Sequence, residues 1–142
     1  MGKKRKQNNI PDWSYSGASV KQFIPLCNDM VESKAYLSLN NRQRNLYIFM
    51  RLQYNGDKND FTFSWYAANK IYKLYSKQKT FYDDIEALIS SGFIVCLECG
   101  ATTRKKSRYA FSKNWCNYPN IELKPSQMTF AMQRKSANTK TQ

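Results

Sequence analysis

The sequence predicts one α+β domain, built from short helices and closed by a β-hairpin, and three observations predict it. Aromatic residues make up 15% of the chain, ten of them tyrosines, whereas chains that stay disordered are poor in aromatics. Apolar residues recur at helical spacing after Asn40 and again after Ser76. Two strand-like runs, 93–97 and 108–111, then flank a polar, basic tip. A chain of 142 residues has room for one such domain with tails. The expected boundaries are a disordered basic tail over 1–18, the domain over 19–115, and a flexible C-terminal tail over 116–142.

Taken in order, Lys3-Lys4-Arg5-Lys6 leads into Gln7-Asn8-Asn9, Pro11 and a Ser/Gly stretch, which reads as a tail. Residues 20–24 alternate apolar and polar side chains, as a short extended piece does. Pro25 suits the first position of a short helix over 25–32, where its missing N–H costs nothing. Asn40 is a good N-cap for a clearer helix. Gln43 follows three residues on, with Leu46, Phe49, Met50 and Gln53 at helical spacing. Asn55-Gly56-Asp57 ends it.

Phe61-Thr62-Phe63 is a β-type triplet, and Ser64 caps a helix over 65–75 with Ala68, Ile71, Tyr72 and Tyr75 on its apolar face. Ser76 caps a further helix in which Phe81, Ile85 and Leu88 fall at i, i+4 and i+7. Gly92 supplies the left-handed residue at its end. The two strands come next, joined by Thr102-Thr103-Arg104-Lys105-Lys106-Ser107. Beyond them the sequence has two prolines, few aliphatics and a Ser/Thr/Lys/Gln finish.

Charge narrows the function. The chain carries 23 Lys+Arg against 10 Asp+Glu, a net charge of +13. Residues 1–12 and 116–142 are each net +3, and the middle is still net +7. A charge serving solubility alone need not cluster in this way. The usual partner of such a chain is nucleic acid or an anionic membrane. No apolar run approaches the ~18 residues of a membrane span, so no membrane partner is expected. Met1-Gly2-Lys3-Lys4 does not open a signal peptide, and Cys27, Cys96, Cys99 and Cys116 then suit a reducing cytoplasm.

Catalysis is not expected. The chain has no histidine, which excludes an imidazole base, a Ser-His or Cys-His pair and a His-ligated metal. No Gly-rich phosphate loop is present. Asp57-Lys58-Asn59-Asp60 lacks the Gly and Glu of a calcium loop and reads as a polar turn. Cys96-Leu97-Glu98-Cys99 is a C-x-x-C, but Cys27 and Cys116 are isolated where structural zinc sites place a second close pair. A redox C-x-x-C usually opens a helix, and this one falls in or after a strand. Cys96 is expected to pack as a small hydrophobe. No cofactor is assigned, and zinc at Cys96 and Cys99 stays open.

The order helix, strand, helix, tight turn, helix, hairpin is that of a winged helix-turn-helix. Its second paired helix fits a DNA major groove ~12 Å wide. Ser76-Lys77-Gln78-Lys79-Thr80-Phe81-Tyr82, with Ile85, Leu88, Gly92 and Phe93-Ile94, resembles the recognition helix and first wing strand of many bacterial winged-helix proteins. Upstream, Phe23-Ile24-Pro25, Ser33-Lys34-Ala35-Tyr36, Leu39-Asn40 and Leu46-Tyr47 look like the opening of small winged-helix proteins of bacterial plasmids, phages and conjugative elements. That family overlaps replication-initiator N-terminal domains. It also has an F-T-F-S type strand and a Trp after the wing, here Trp115. The resemblance covers about 20–115.

The resemblance implies double-stranded DNA binding by a transcriptional regulator or a replication accessory or initiator-like protein. Initiators of the group carry a further C-terminal domain where this sequence has a tail, which favours the regulator or accessory role. The DNA-binding residues it implies are Lys77, Gln78, Lys79, Thr80 and Tyr82 on the helix and Arg104, Lys105, Lys106 and Arg108 on the wing. Arg42 and Arg44 are further candidates for phosphate contacts. Asp83, Asp84 and Glu86 oppose deep insertion of the helix, since carboxylates repel phosphates. Two other classes stay open. One is an RNA or single-strand binder, for which the aromatics supply stacking platforms. The other is a winged helix that binds an acidic protein partner, including one from replication or transcription. A homodimer would raise specificity through two half-sites, although no dimer helix is legible.

Overall fold

Several helix starts in this chain, at Ser33, Asn40 and Ser64, are set by side chains that satisfy the first free N–H groups. The computed structural model describes residues 11–14, 16, 24–54, 56–98 and 106–139. Two short helices come first, α1 (Asn28–Val31) and α2 (Lys34–Ser38). Pro25 does not open α1: Cys27 is its extended N-cap, and the Pro25 carbonyl instead accepts from Arg51 Nη2 at 2.8 Å. Ser33 caps α2 by accepting from the Tyr36 N–H at 3.1 Å.

Helix α3 (Asn41–Arg51) begins at the expected capping box. Asn40 Oδ1 accepts from Gln43 N–H at 2.9 Å, and Gln43 Oε1 accepts from Asn40 N–H at 3.1 Å. Strand β1 (Asp60–Thr62) comes next, and then Ser64 Oγ accepts from Ala67 N–H at 3.1 Å. The helix it caps widens at once into a π-helical turn, Ala67–Ile71, closed by Tyr72 N–H to Ala67 C=O at 2.9 Å. This wider turn changes which side chains share a face. Ala68 and Tyr75 are buried as expected, but Ile71 is 59% exposed. Lys73, at φ 55°, then turns the chain.

Helix α4 (Gln78–Ser90) is the longest. Its N-cap is Lys77, not Ser76, because Lys77 holds the extended dihedrals, and no side chain caps it. Phe81, Ile85 and Leu88 form its buried face, joined by Ile89. Gly92 lies just beyond it at φ 90°. A Cβ there would lie 2.3 Å from the Trp115 nitrogen. Glycine is therefore required both for the left-handed backbone and for that close approach.

Strands β2 (Ile94–Glu98) and β3 (Arg108–Phe111) complete an antiparallel sheet of order β1-β3-β2. A bulge between Cys96 and Glu98 shifts the β2–β3 register, a feature that bends and twists a strand. The core lies between sheet and helices, with Leu46, Met50, Phe81, Ile85, Leu88, Phe93 and Ile94 fully buried. Each such side chain is worth roughly 1.5–3 kcal/mol against exposure. Phe93 joins the layers: its ring lies 5.9 Å from Tyr36, 5.2 Å from Tyr47 and 6.3 Å from Trp115.

The segment after β3 corrects the expectation of a flexible tail. Residues 114–139 form two 3-10 turns, Asn114–Asn117 and Pro125–Gln127, and helix α5 (Phe130–Thr139). Trp115, Tyr118, Leu123 and Met132 pack on the core. Gln133 Nε2 ties α5 back to the Pro125 carbonyl at 2.7 Å and the Met128 carbonyl at 3.2 Å. Scattered single anchors hold this segment, which is why no periodic apolar pattern announces it. Residues 1–10, 20–23 and 99–105, the stretch between β2 and β3 in the sequence, lie outside the described residues.

Candidate nucleic-acid interface

Burial of Phe81, Ile85, Leu88 and Ile89 fixes the rotation of α4 and so decides what its other faces present. By helical spacing Lys79 and Asp83 share the outer face, while Gln78, Tyr82 and Glu86 share the face toward the strand pair and α5. Lys77, Gln78, Lys79 and Tyr82 are exposed, and Thr80 is half-buried. The fold thus brings the five helix candidates to the first turn and a half of one element. Lys106 is exposed two residues before β3. Arg104 and Lys105 lie outside the described residues.

Arg108 is placed differently. It bonds Asp60 Oδ2 at 3.0 Å and Glu98 Oε1 at 3.2 Å, one carboxylate from each neighbouring strand. The hydrogen bond from Arg108 draws the Asp60 carboxyl below its ordinary pKa. Arg108 therefore ties the sheet together across all three strands. Arg42 and Arg44 are also taken up internally. Arg42 Nε and Nη2 clasp the two oxygens of Asp84, the second at 3.0 Å. Arg44 Nε donates to the Tyr36 carbonyl at 3.2 Å and its Nη2 to the Leu37 carbonyl at 3.1 Å. Its guanidinium also lies 5.2 Å from the Tyr36 ring centroid.

Asp84 faces inward and is buried at 1% exposure. Besides Arg42 it accepts from the Tyr75 hydroxyl at 2.6 Å and from Gln43 Nε2 at 3.2 Å. Burial alone would raise its pKa. The hydrogen bonds from Arg42, Tyr75 and Gln43 outweigh burial and hold the carboxyl below the usual range. The same site pushes the Tyr75 hydroxyl far up, through burial first and then its bond to Asp84. One network thus joins the start of α3, the turn before α4, and α4 itself.

The other two acids are paired. Asp83 Oδ2 accepts from Lys79 Nζ at 2.8 Å, and Glu86 Oε2 accepts from Lys135 Nζ of α5 at 2.9 Å. The Glu86 bond raises the pKa of Lys135. Exposed pairs of this kind add little stability. They do cancel the negative charge that would oppose an anion at α4. Sequence reasoning misses Arg134 and Lys135 because α5 lies in the stretch that reads as tail. Their spacing from Phe130 (i+4) and Met132 (i+3) is the available signal.

Between α4, the strand pair and α5 lies an open groove of about 590 Å³. Tyr82, Gln78, Trp65, Phe130, Arg134 and Lys106 are among its lining residues. Cys96 lies at its floor and is buried. Among the described residues no cluster of Cys, Asp or Glu could hold a metal ion. Likewise, no helix among them is long and apolar enough to cross a membrane. Comparison with protein-family models, curated proteins and solved structures gives no match.

Proposed function

We propose that this chain is a winged-helix protein that binds double-stranded DNA. The reading assigns α4 as recognition helix and the β2–β3 pair as wing. The observation that carries it is one of topology and position together. Helix, strand, helix, turn and helix lead into a hairpin with sheet order β1-β3-β2. The exposed start of α4 beside that hairpin bears Lys77, Gln78 and Lys79 and has no side-chain cap. Free N–H groups at a helix start favour anions.

In this mechanism the first turns of α4 enter the major groove. Gln78 reads adenine through its carboxamide, and Lys77 and Lys79 reach guanine or phosphate. Lys106, with Arg104 and Lys105 just before it in the sequence, grips the backbone, and the basic N-terminal residues add contacts that carry no sequence information. Arg134 and Lys135 of α5 extend the cationic edge. The biological setting is taken from the family resemblance: transcriptional control or replication assistance in the cytoplasm of a bacterium, on a mobile element.

Two variant pairs test the assignment by equilibrium binding to a selected duplex and to a random one. Lys77→Ala with Gln78→Ala is expected to narrow the difference between the two duplexes by about 1–3 kcal/mol per lost base contact. Lys105→Ala with Lys106→Ala is expected to weaken both alike and to flatten the salt dependence by about one unit per lost phosphate contact. Unchanged binding in both pairs contradicts the docking geometry.

A further inference from the structure

The groove beside α4 has an arrangement that duplex binding does not require. Its volume of about 590 Å³ falls in the ~300–1,000 Å³ range of small-ligand sites. Two of its walls carry aromatic rings from separate helices: Tyr82 on α4 and Phe130 on α5, 43% and 39% exposed. Trp65, half-buried, adds a third ring. Apolar rings left facing water on a concave surface gain from any flat ligand that covers them.

The polar lining narrows the ligand further. Arg134 and Lys106 both line the groove, and among the described residues neither forms an ion pair. Glu86, the one carboxylate among the lining residues, is tied to Lys135. Gln78 offers a carboxamide, which both donates and accepts. An inorganic anion would leave the rings unused, and an apolar molecule would leave the two cations unused. A flat heterocycle with hydrogen-bonding edges and an attached phosphate uses all of them.

We propose that the groove between α4, the β2–β3 pair and α5 binds one nucleotide unit, its base stacked against Tyr82 and Phe130 and its phosphate held by Arg134 and Lys106. The unit is either a free nucleotide or an unpaired nucleotide at the end of a nucleic-acid strand. The site stands on the groove itself and does not depend on α4 entering a major groove.

The test is calorimetric titration of the full chain with adenosine 5′-monophosphate, adenosine and inorganic phosphate, and with blunt duplex and duplex bearing one unpaired 5′ nucleotide. The monophosphate is expected to bind more tightly than adenosine or phosphate alone. Tyr82→Leu, which keeps apolar bulk and removes the ring, is expected to weaken it about five-fold or more, and Arg134→Ala comparably. Both side chains lie outside the core, and unchanged melting temperatures would show that the fold is kept. Preference for the unpaired end over the blunt duplex, lost in the same variants, assigns the site to strand ends. Equal binding of the two duplexes beside tight monophosphate binding assigns it to free nucleotide. Monophosphate binding no tighter than phosphate, or unaffected by both variants, overturns the proposal. Duplex binding without monophosphate binding would refute the groove site alone, and the reverse would refute the duplex reading alone.

Discussion

Three acids fall within four positions of α4, and each has a different role because of what faces it. Asp83 and Glu86 meet surface lysines, whereas Asp84 meets Arg42, Tyr75 and Gln43 in the interior. Asp84→Asn keeps the shape but removes the charge that Arg42 and Tyr75 answer. Because Arg42 is partly open to water, the expected loss is about 2 kcal/mol at pH 7, read from denaturant melts. The carboxyl is held below its unfolded value of about 3.9, so its charge stabilises the fold in full above that pH. That contribution is lost as pH falls through the lower folded pKa. The gap between wild type and variant is therefore expected to be flat from pH 5 to 8 and to shrink below about pH 4. A gap that persists undiminished at pH 3 would contradict the network. None of this was legible in the sequence, since Arg42 and Asp84 are 42 positions apart and no local pattern pairs them. The buried face of α4 was legible, because Phe81, Ile85 and Leu88 repeat at the period that places them together.

Whether an element's ends could be read depended on how local their cause is. Asn40 with Gln43, Ser64, and Gly92 each act within a few residues, and each does in the structure what its type favours. Tyr66 before the π-helical turn and Lys77 before α4 form no side-chain cap bond, and the exposed Ile71 has no local signal. Helix α5 was missed for a related reason: its hold on the molecule comes from Met132, Gln133 and Lys135 acting singly. The junction of α4 with β2 supplies an element-level prediction. Gly92→Ala forces a Cβ against the Trp115 backbone while keeping φ 90°. The expected cost is about 2 kcal/mol or more, seen as a lower denaturation midpoint with an unchanged slope. A variant as stable as wild type would mean that α4 and the 114–117 turn do not meet as described.

At the scale of the whole molecule, the excess of positive charge is what most strongly suggests an anionic partner. Of the 23 Lys and Arg side chains behind the net charge of +13, Arg42, Arg44 and Arg108 serve the fold. Lys106 and Arg134, which line the groove beside α4, and Lys77 at its N-cap form no ion pair among the described residues. Net charge was legible as a sum, but its division into fold-bound and free cations needed the three-dimensional pairing. The most direct test of duplex recognition is binding of a selected duplex across ~50–300 mM salt, with random duplex, single-stranded DNA and RNA as competitors. Log affinity is expected to fall linearly with log salt at about −0.9 per neutralised phosphate, and the selected duplex to survive competition by the others. Failure to bind duplex at the lowest salt, or equal displacement by every competitor, would contradict the account.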